Sequence, residues 1–357
     1  MANPLTLDVL ADPVMLTRAL VDVQSVSRDE KAIADHVEQV LSQAPHLAVD
    51  RLQNTVMART DLGREQRVVL AGHLDTVPIN DNVPSSVIED LIYGCGTSDM
   101  KSGVALALHL AATLPAPRYD LTFLFYEAEE IEARYNGLHL VAQARPEWLE
   151  ADFAVLLEPT YGVVEAGCQG TLRALIRTRG RRAHTARAWR GSNAIHAVGE
   201  VLRRLDDYPG RTVTIDGCTY REAMSAVRIS GGVAGNVVPD ECTVEVNLRF
   251  APDRSESEAA DHVRKLFAGY EVEVTDSAPG ALPGLSAAAA REFLTAIGAE
   301  PAAKLGWTDV ARFAARGVPA LNYGPGDPEL AHAPDEHVEI GKIRDGAATL
   351  HRWLAAG

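Results

Sequence analysis

The sequence predicts an α/β protein in which a mixed-sheet domain is interrupted by a smaller, ferredoxin-like α+β domain. The chain has 357 residues, and a single hydrophobic core stops growing at about 250–300 residues, so two domains are expected. In the first half of the chain, apolar runs typical of buried strands end in acidic residues. These acidic strand ends stop between residues 171 and 277, where the order strand-helix-strand-strand-helix-strand indicates a ferredoxin-like unit.

The mixed-sheet domain is predicted to comprise residues 1–170 and 282–357. Apolar side chains at four-residue spacing predict its helices, and continuous apolar runs predict its strands. In chain order the predicted elements are helices over 8–25 and 29–41, strands over 47–58 and 67–71, a helix over 104–114, strands over 121–126 and 153–157, a helix over 285–297, a strand over 320–323 and a helix over 343–355.

The inserted domain is predicted to comprise residues 171–281. Its first segment alternates between apolar and polar side chains, as does a strand with one solvated face. A linker rich in proline and glycine returns the chain to the first domain. In chain order the predicted elements are a strand over 171–179, a helix over 191–205, strands over 223–230 and 242–250, a helix over 255–267 and a strand over 270–275.

Composition argues against several classes of protein. The net charge of −15, from 49 acidic residues against 34 lysines and arginines, argues against a nucleic-acid partner, which would require a basic face. No run of roughly 18 apolar residues indicates a membrane span, and the first residues do not resemble a secretory signal. The four cysteines form no CxxC pair, which is typical of a reduced cytoplasmic protein.

The segment Gly-His-Leu-Asp-Thr-Val-Pro at 72–78 is the first candidate for a functional site. It follows a predicted strand, and His73 and Asp75 are two residues apart, so they point the same way on extended backbone. A histidine can bind a metal through one ring nitrogen while a carboxylate holds the other N–H. The alternative is a surface histidine and aspartate at the end of a strand, and the sites that follow favour the metal.

Four further candidate ligands lie after predicted strands or in turns. Asp99 lies in a glycine-rich turn, where it could instead cap the following helix. Glu130 closes an acidic run after a predicted strand, and an ordinary acidic loop is the alternative. Glu158 follows the next predicted strand, and His332 lies near the end of the chain. Because open α/β sheets hold ligands beyond the carboxyl ends of their strands, these side chains are expected to converge.

The chemistry of the candidate side chains indicates a metal site. Carboxylates together with imidazoles suit zinc or a similar first-row ion rather than a thiolate site. A catalytic zinc ion needs three protein ligands and a water molecule. Two ions that share a bridging carboxylate, roughly 3.5–4 Å apart, would use all of the candidates, which are His73, Asp99, Glu130, Glu158 and His332.

Short motifs around these residues occur in a recognisable order. They are GHLDTVP at 72–78, GTSDMKSG at 96–103, EAEE at 127–130, LLEPT at 156–160 and HAPDEH at 332–337. In this order they resemble the dinuclear zinc amidohydrolase and exopeptidase family over nearly the whole chain. The likeness is strongest to the succinyl-diaminopimelate desuccinylases of the actinobacterial type. It implies a zinc-peptidase-like catalytic domain whose inserted domain serves as a lid and dimerisation domain.

The resemblance implies two zinc ions per subunit, with Co²⁺ or Mn²⁺ as substitutes. Asp99 would bridge both ions. His73 and Glu158 would complete one site, and Glu130 and His332 would complete the other. A cis peptide bond after Asp99 is also implied.

The resemblance further implies roles for the acids beside these ligands. Asp75 would orient His73, and Glu129 would be the general base for the water held between the ions. Glu127 is an alternative base. Glu129 is preferred because it directly precedes the ligand Glu130, as in the paired glutamates of the family.

Substrate-binding residues are implied in both domains. His184 matches a lid histidine that reaches into the partner subunit's site and stabilises the oxyanion, and Asn236 lies in the matching substrate-binding turn. Arg249 and Arg312 are candidates to bind substrate carboxylates through paired N–H bonds, and either could instead be a surface arginine. Gly324 would present its backbone N–H to the substrate.

The expected function is hydrolysis of N-succinyl-LL-2,6-diaminopimelate to succinate and LL-2,6-diaminopimelate, a step of lysine and diaminopimelate biosynthesis. The resemblance implies a cytoplasmic homodimer that acts on a small molecule, with no nucleic-acid or membrane partner. The alternatives are another N-acyl amino acid deacylase, such as acetylornithine deacetylase, or a metallo-dipeptidase or carboxypeptidase. A binding or scaffold protein that keeps the fold without metal is a further alternative.

Overall fold

A computed structural model of the chain describes residues 3–298 and 300–355. The chain divides into two compact units. The first comprises Met1–Ala166, Pro283–Ala302 and Arg312–Gly357, and the second comprises Gly167–Leu282 and Ala303–Ala311. The architecture is mixed α/β, so the predicted fold class is confirmed. Within the described part of the chain, no helix combines the length and the apolar character needed to cross a membrane.

In the part of the chain that the structure describes, the strands fall into four sheets. In chain order they are β1 (Ala48–Leu52), β2 (Thr55–Arg59), β3 (Arg67–His73), β4 (Ser86–Ile88), β5 (Leu91–Tyr93), β6 (Asp120–Tyr126), β7 (Phe153–Leu156), β8 (Glu165–Ala166), β9 (Gly170–Arg179), β10 (Thr212–Ile215), β11 (Cys218–Arg221), β12 (Ala223–Gly231), β13 (Glu241–Phe250), β14 (Glu271–Ala278), β15 (Ala302–Ala303), β16 (Ala320–Asn322) and β17 (His337–Glu339).

The α-helices flank these sheets. In chain order they are α1 (Leu7–Ala11), α2 (Pro13–Val21), α3 (Lys31–Leu41), α4 (Ser102–Thr113), α5 (Gly137–Ala144), α6 (Ala194–Asp206), α7 (Glu256–Leu266), α8 (Ala288–Ile297), α9 (Val310–Ala314) and α10 (Ile340–Leu354).

The centre of the first unit is a mixed sheet with the strand order β1-β2-β6-β3-β7-β16-β8-β15. Strand β3 lies between β6 and β7 and is parallel to both. All three strands are almost entirely buried, because they carry apolar side chains on both faces. Their carboxyl ends therefore lie side by side, at the edge of the sheet where α/β proteins hold their ligands.

The predicted helix over 8–25 is two helices in the structure. Helix α1 ends at Ala11, and α2 begins at Pro13. The Asp12 side chain accepts hydrogen bonds from the N–H groups of Val14 and Met15 and so caps α2. Pro13 occupies the first helical position, where its missing N–H costs nothing.

The predicted strand over 47–58 is a hairpin. Strands β1 and β2 pair in antiparallel register, and the turn between them places Gln53 at a φ of 54°. Several short elements were absent from the prediction, among them α5 and the strands β10 and β11. Asn136 caps the short helix α5 by accepting from two N–H groups, and β10 and β11 form a further hairpin.

The second unit has a ferredoxin-like topology, as predicted. Its elements follow the order β9-α6-β12-β13-α7-β14, and its antiparallel sheet has the order β12-β13-β9-β14. The hairpin β10–β11 is inserted between α6 and β12. The apolar faces of the sheet and of both helices form one core.

The structure differs from the predicted domain boundaries by a few residues at 167–170 and at Leu282, and by one longer segment. Ala303–Ala311 was assigned to the mixed-sheet domain but belongs to the second unit. Three bonds hold it there. The N–H of Gln169 donates to the carbonyl of Lys304 (3.2 Å). The indole N–H of Trp307 donates to the carbonyl of Pro279 (3.1 Å). The thiol of Cys168 donates to the carbonyl of Thr308 (3.7 Å).

Candidate metal centre

Three parallel strands bring three of the predicted ligands to one edge of the sheet. His73 is the last residue of β3, Glu130 lies four residues beyond the end of β6, and Glu158 lies two residues beyond the end of β7. His73 and Glu158 are buried, and Glu130 is partly exposed. These three residues, 28 to 85 positions apart in the sequence, therefore meet because neighbouring strands end together.

Asp99 and His332 complete the group from two turns. The turn that contains Asp99 precedes α4, and its Asp99–Met100 peptide bond is cis, as the family resemblance implied. Oδ1 of Asp99 lies 3.1 Å from Nε2 of His73, and Oδ2 lies 3.5 Å from Nε2 of His332. The same His332 nitrogen lies 2.8 Å from Oε1 of Glu130. Each carboxylate oxygen of Asp99 thus faces a different imidazole.

The donor atoms form two groups that share Asp99. One group is His73, Asp99 and Glu158, and the other is Asp99, Glu130 and His332. Within each group, one ligand atom from each residue lies within 4.8 Å of the others. Three donors per group, with one shared carboxylate, match the requirement of two catalytic cations. Helix α4 has no side-chain cap, so the alternative role of Asp99 as a helix cap is not observed.

Carboxylates dominate the electrostatics of this cluster. Asp99 and then Glu130 raise the pKa of His332 to about 10. Burial opposes charge on His73, yet Asp75 and Asp99 raise its pKa well above the ordinary value. Burial likewise opposes charge on Asp99, but His332 and His73 hold its pKa well below the usual range. The cluster therefore favours positive charge at its centre, as a cation site must.

The sequence from residue 69 to residue 356 matches the model of peptidase family M20/M25/M40. The chain belongs to this family. A Corynebacterium glutamicum protein named succinyl-diaminopimelate desuccinylase is 48% identical over 360 residues, with 98% of each chain covered. A Mycobacterium tuberculosis (strain H37Rv) protein, provisionally named succinyl-diaminopimelate desuccinylase DapE, is 55% identical over 351 residues, covering 98% of this chain and 99% of its own. The resemblance drawn from the motifs is confirmed.

Solved structures of M20 peptidases and related enzymes share the fold. A tripeptidase of Staphylococcus aureus is 20% identical with a TM-score of 0.78, and 97% of each chain is covered. A Bacillus subtilis protein described as a dinuclear metal-binding peptidase of the M20 family is 16% identical with a TM-score of 0.70, covering 96% of each chain.

In this M20 family chain, Asp75 holds both the first histidine and the acidic loop. Nδ1 of His73 lies 3.0 Å from the carbonyl oxygen of Asp75 and 3.5 Å from its Oδ1. The two carboxylate oxygens accept the N–H groups of Glu129 (3.0 Å) and Glu130 (3.1 Å). The hydroxyl of Ser27 donates to Oδ2 as well (2.7 Å). Asp75 therefore fixes the backbone of Glu129 and Glu130 as well as the imidazole ring of His73.

The two candidate bases occupy different environments. Glu129 lies beside the ligands, in a third group of metal-ligand spacing with His73 and Glu130. Glu127 is buried, and its Oε1 accepts the N–H of Asn54 (3.0 Å). Burial raises the pKa of Glu127, which the bond from Asn54 partly offsets. Of the two, only Glu129 lies at this spacing from the candidate ligands, and Glu127 bonds to backbone.

The predicted substrate residues of the second unit lie on adjoining segments. His184 is exposed, and its Nδ1 accepts the N–H of Ala186 (3.0 Å). The next residue, Thr185, donates its N–H to the carbonyl of Asn236 (3.0 Å). The segment of His184 and the predicted substrate-binding turn are therefore adjacent within this unit.

The two candidate arginines are in different units. Arg249 lies on β13, where its Nε donates to Oδ1 of Asn247 (3.2 Å). Burial, followed by the charge of Arg173, lowers the pKa of Arg249. A second cation nearby favours an anion beside this guanidinium. Arg312 lies on α9 and is partly buried.

The N–H of Gly324, which the resemblance assigned to the substrate, is bonded within the chain. Gly324 is buried, and its N–H donates to the hydroxyl of Thr160 (3.0 Å). A Cβ at this position would lie 2.5 Å from the carbonyl oxygens of Leu157 and Glu158. The glycine is therefore needed for the close approach of this segment to the strand end that carries Glu158.

Two buried carboxylates behind the ligands were missed. Oε1 of Glu30 accepts the N–H groups of Arg28 (2.8 Å) and Ala128 (3.1 Å), and Ala128 has a φ of 57°. Glu336 accepts N–H groups of the turn that contains Asp99. The position of Glu336 within the motif HAPDEH at 332–337 was a sequence signal for it. It was missed because acidic residues in loops are usually exposed.

Proposed function

We propose that the chain hydrolyses N-succinyl-LL-2,6-diaminopimelate to succinate and LL-2,6-diaminopimelate, in the cytoplasm. The observation that supports this most is the pair of ligand groups that share Asp99. This pair occurs in a chain that is 48% identical, over 98% of its length, to a protein named succinyl-diaminopimelate desuccinylase. The reaction would belong to lysine and diaminopimelate biosynthesis.

The cations that fit this donor set are two Zn²⁺ ions, with Co²⁺ or Mn²⁺ as substitutes. Imidazole and carboxylate donors suit these ions, and the groups contain no thiolate. His73 and Glu158 would hold one ion, Glu130 and His332 would hold the other, and Asp99 would bind both. When bound, such ions lower the pKa of water and polarise the acyl carbonyl.

Glu129 supplies the proton transfers in this proposal. Its carboxylate takes a proton from the attacking water as the new C–O bond forms at the succinyl carbonyl carbon. It then gives that proton to the amide nitrogen as the C–N bond breaks, which releases succinate and the free amine. Oδ1 of Asp75 accepts the backbone N–H of Glu129 (3.0 Å) and so sets the position from which the Glu129 carboxylate acts.

Residues of the second unit and α9 would bind the rest of the substrate. His184 would stabilise the oxyanion across the dimer, and Asn236 would contact the substrate from the adjoining turn. Arg249 and Arg312 would bind the substrate carboxylates, for which a guanidinium offers paired N–H donors. The succinyl group and both α-carboxylates of the substrate provide such anions.

Side-by-side turnover tests the substrate assignment. The zinc-loaded protein is expected to hydrolyse N-succinyl-LL-2,6-diaminopimelate with a kcat/KM at least about 100-fold above that for N-acetylornithine or a dipeptide, because a site built for a polar group rejects analogues that lack it. Faster cleavage of N-acetylornithine would show a deacylase of different specificity. Faster cleavage of the dipeptide would show a peptidase, and absence of both turnover and metal would show a scaffold.

The homodimer is proposed to form through the edge strand β12. In the sheet of the second unit, β12 is the terminal strand and pairs with β13. Val227 and Ile229 on this strand are 56% and 53% exposed. An open strand edge with exposed β-branched side chains is suited to pairing with another chain. These features support a dimer in which the β12 strands of two chains meet.

Charged substitutions on β12 test this interface. The double variant Val227→Lys/Ile229→Lys is expected to elute as a monomer, at the chain mass of 38.4 kDa, while the unchanged protein scatters light at twice that mass. The monomer should lose about 10²–10³-fold in kcat, the usual effect of removing one oxyanion donor, because His184 would come from the partner. Thr275→Lys on β14, at the opposite edge of the sheet, is the control. A variant that remains dimeric would contradict the interface.

A further inference from the structure

The Glu336 side chain is buried directly behind the turn that contains Asp99. It is 2% exposed. Its Oε1 accepts the N–H groups of Ser98 (2.8 Å) and Asp99 (3.0 Å), and its Oε2 accepts that of Gly96 (2.9 Å). One carboxylate thus collects three backbone donors from a single turn, including the N–H of the shared ligand itself.

This carboxylate is placed to hold backbone rather than metal. Among the described residues, none of the candidate ligand groups includes Glu336. Lys101, a buried cation close to this turn in the sequence, donates its ammonium to the carbonyl of Val23 (2.8 Å) and not to the carboxylate of Glu336. A buried carboxylate is tolerated only when it is well hydrogen-bonded. The N–H groups of the turn provide those bonds.

Glu336 also connects the segments that carry two of the ligands. It lies four residues after His332 and accepts from Asp99, 237 positions away in the sequence. Two neighbouring bonds strengthen this connection. The N–H of Gly94 donates to the carbonyl of Glu336 (3.0 Å), and the hydroxyl of Ser98 donates to that of His337 (2.7 Å). The segment after His332 is therefore held against the Asp99 turn at several points.

We propose that Glu336 is a positioning residue of the metal centre. By holding the backbone of the Asp99 turn, it fixes the position of the Asp99 carboxylate relative to His332 so that both ion sites can share it. The inference rests on the two-ion centre of the proposed function and adds to it a residue that touches neither ion. Residues behind metal ligands orient them, and changing such a residue typically costs about 10–100-fold in metal affinity.

Zinc titration of the metal-free protein tests the role of Glu336. Glu336→Gln keeps the size of the side chain but places an NH₂ group where one oxygen accepted an N–H. The expected result is a loss of about 10–100-fold in affinity for at least one of two Zn²⁺ ions, measured by competition with a chromophoric chelator. The absorption spectrum of the Co²⁺-loaded variant should change as well. Asp335→Asn, an exposed acid one position earlier, is the matched control and should bind both ions normally.

Thermal unfolding of the metal-free variants separates positioning from stability. A folded Glu336→Gln protein with unchanged zinc affinity and an unchanged cobalt spectrum would overturn the inference. If this variant does not fold, Glu336→Asp, which keeps the charge but shortens the side chain, is judged by the same two measurements. Failure of both variants to fold would also overturn it, since Glu336 would then serve stability alone. An unchanged protein that binds fewer than two ions would instead refute the proposed centre itself.

Discussion

Replacing Glu129 by alanine is expected to lower kcat by about 10²–10⁴-fold, the usual contribution of a general acid–base residue. Both metal ions should remain bound. Each of the two ligand groups that share Asp99 has three donors without Glu129. Steady-state turnover and metal analysis of the same purified sample would measure both effects.

A nearby glutamate provides the control for this substitution. Glu132 lies three residues further along the same loop, with a side chain that is 67% exposed, so Glu132→Ala should leave both turnover and metal content near normal. Loss of an ion from the Glu129→Ala protein would assign a ligand role to Glu129. A larger fall in turnover for Glu127→Gln than for Glu129→Ala would move the base to Glu127.

Replacing Asp99 by alanine is expected to have the broadest effect on the metal centre. Both ligand groups contain Asp99, so its loss leaves two of the proposed donors for each ion, fewer than the three that catalytic zinc sites use. We expect the affinity for each of the two ions to fall by more than roughly 10–100-fold, which is the usual effect of changing a residue that orients a ligand. Turnover should fall to background. Metal analysis after gel filtration would detect the loss.

The substitution His332→Ala is the informative comparison. It removes one donor from one group and leaves His73, Asp99 and Glu158 together. One ion should therefore remain in the His332→Ala protein, whereas the Asp99→Ala protein should hold fewer. Equal metal content in the two variants, or two ions in the Asp99→Ala protein, would contradict the role of Asp99 as the shared ligand.

The sheet could be predicted from the sequence because its central strands have no polar face. Continuous apolar runs predicted β3, β6 and β7 to within a few residues, and the acids that follow them predicted which edge would hold the site. Shorter elements depend on local turn chemistry. The hairpin of β1 and β2 was read as one strand, because its turn contains neither glycine nor proline and the signal from Asn54 alone was passed over.

The candidate ligands could be identified from the sequence, whereas the buried side chains that hold their segments could not. His73, Asp99 and His332 stand in short motifs whose order is itself a signal. Glu30 and Glu336 act through backbone N–H groups, and the partners of Glu336 lie more than 230 positions away. A buried acid and an exposed acid are the same letter in a sequence, so only the folded chain distinguishes them.

Anomalous diffraction at the zinc edge, from crystals of the zinc-loaded protein, is the most direct measurement of the central claim. Two peaks roughly 3.5–4 Å apart are predicted, with Asp99 between them. One peak should lie about 2.0–2.2 Å from donors of His73 and Glu158, and the other at that distance from donors of Glu130 and His332. A single peak, or two peaks that do not share Asp99, would contradict the account.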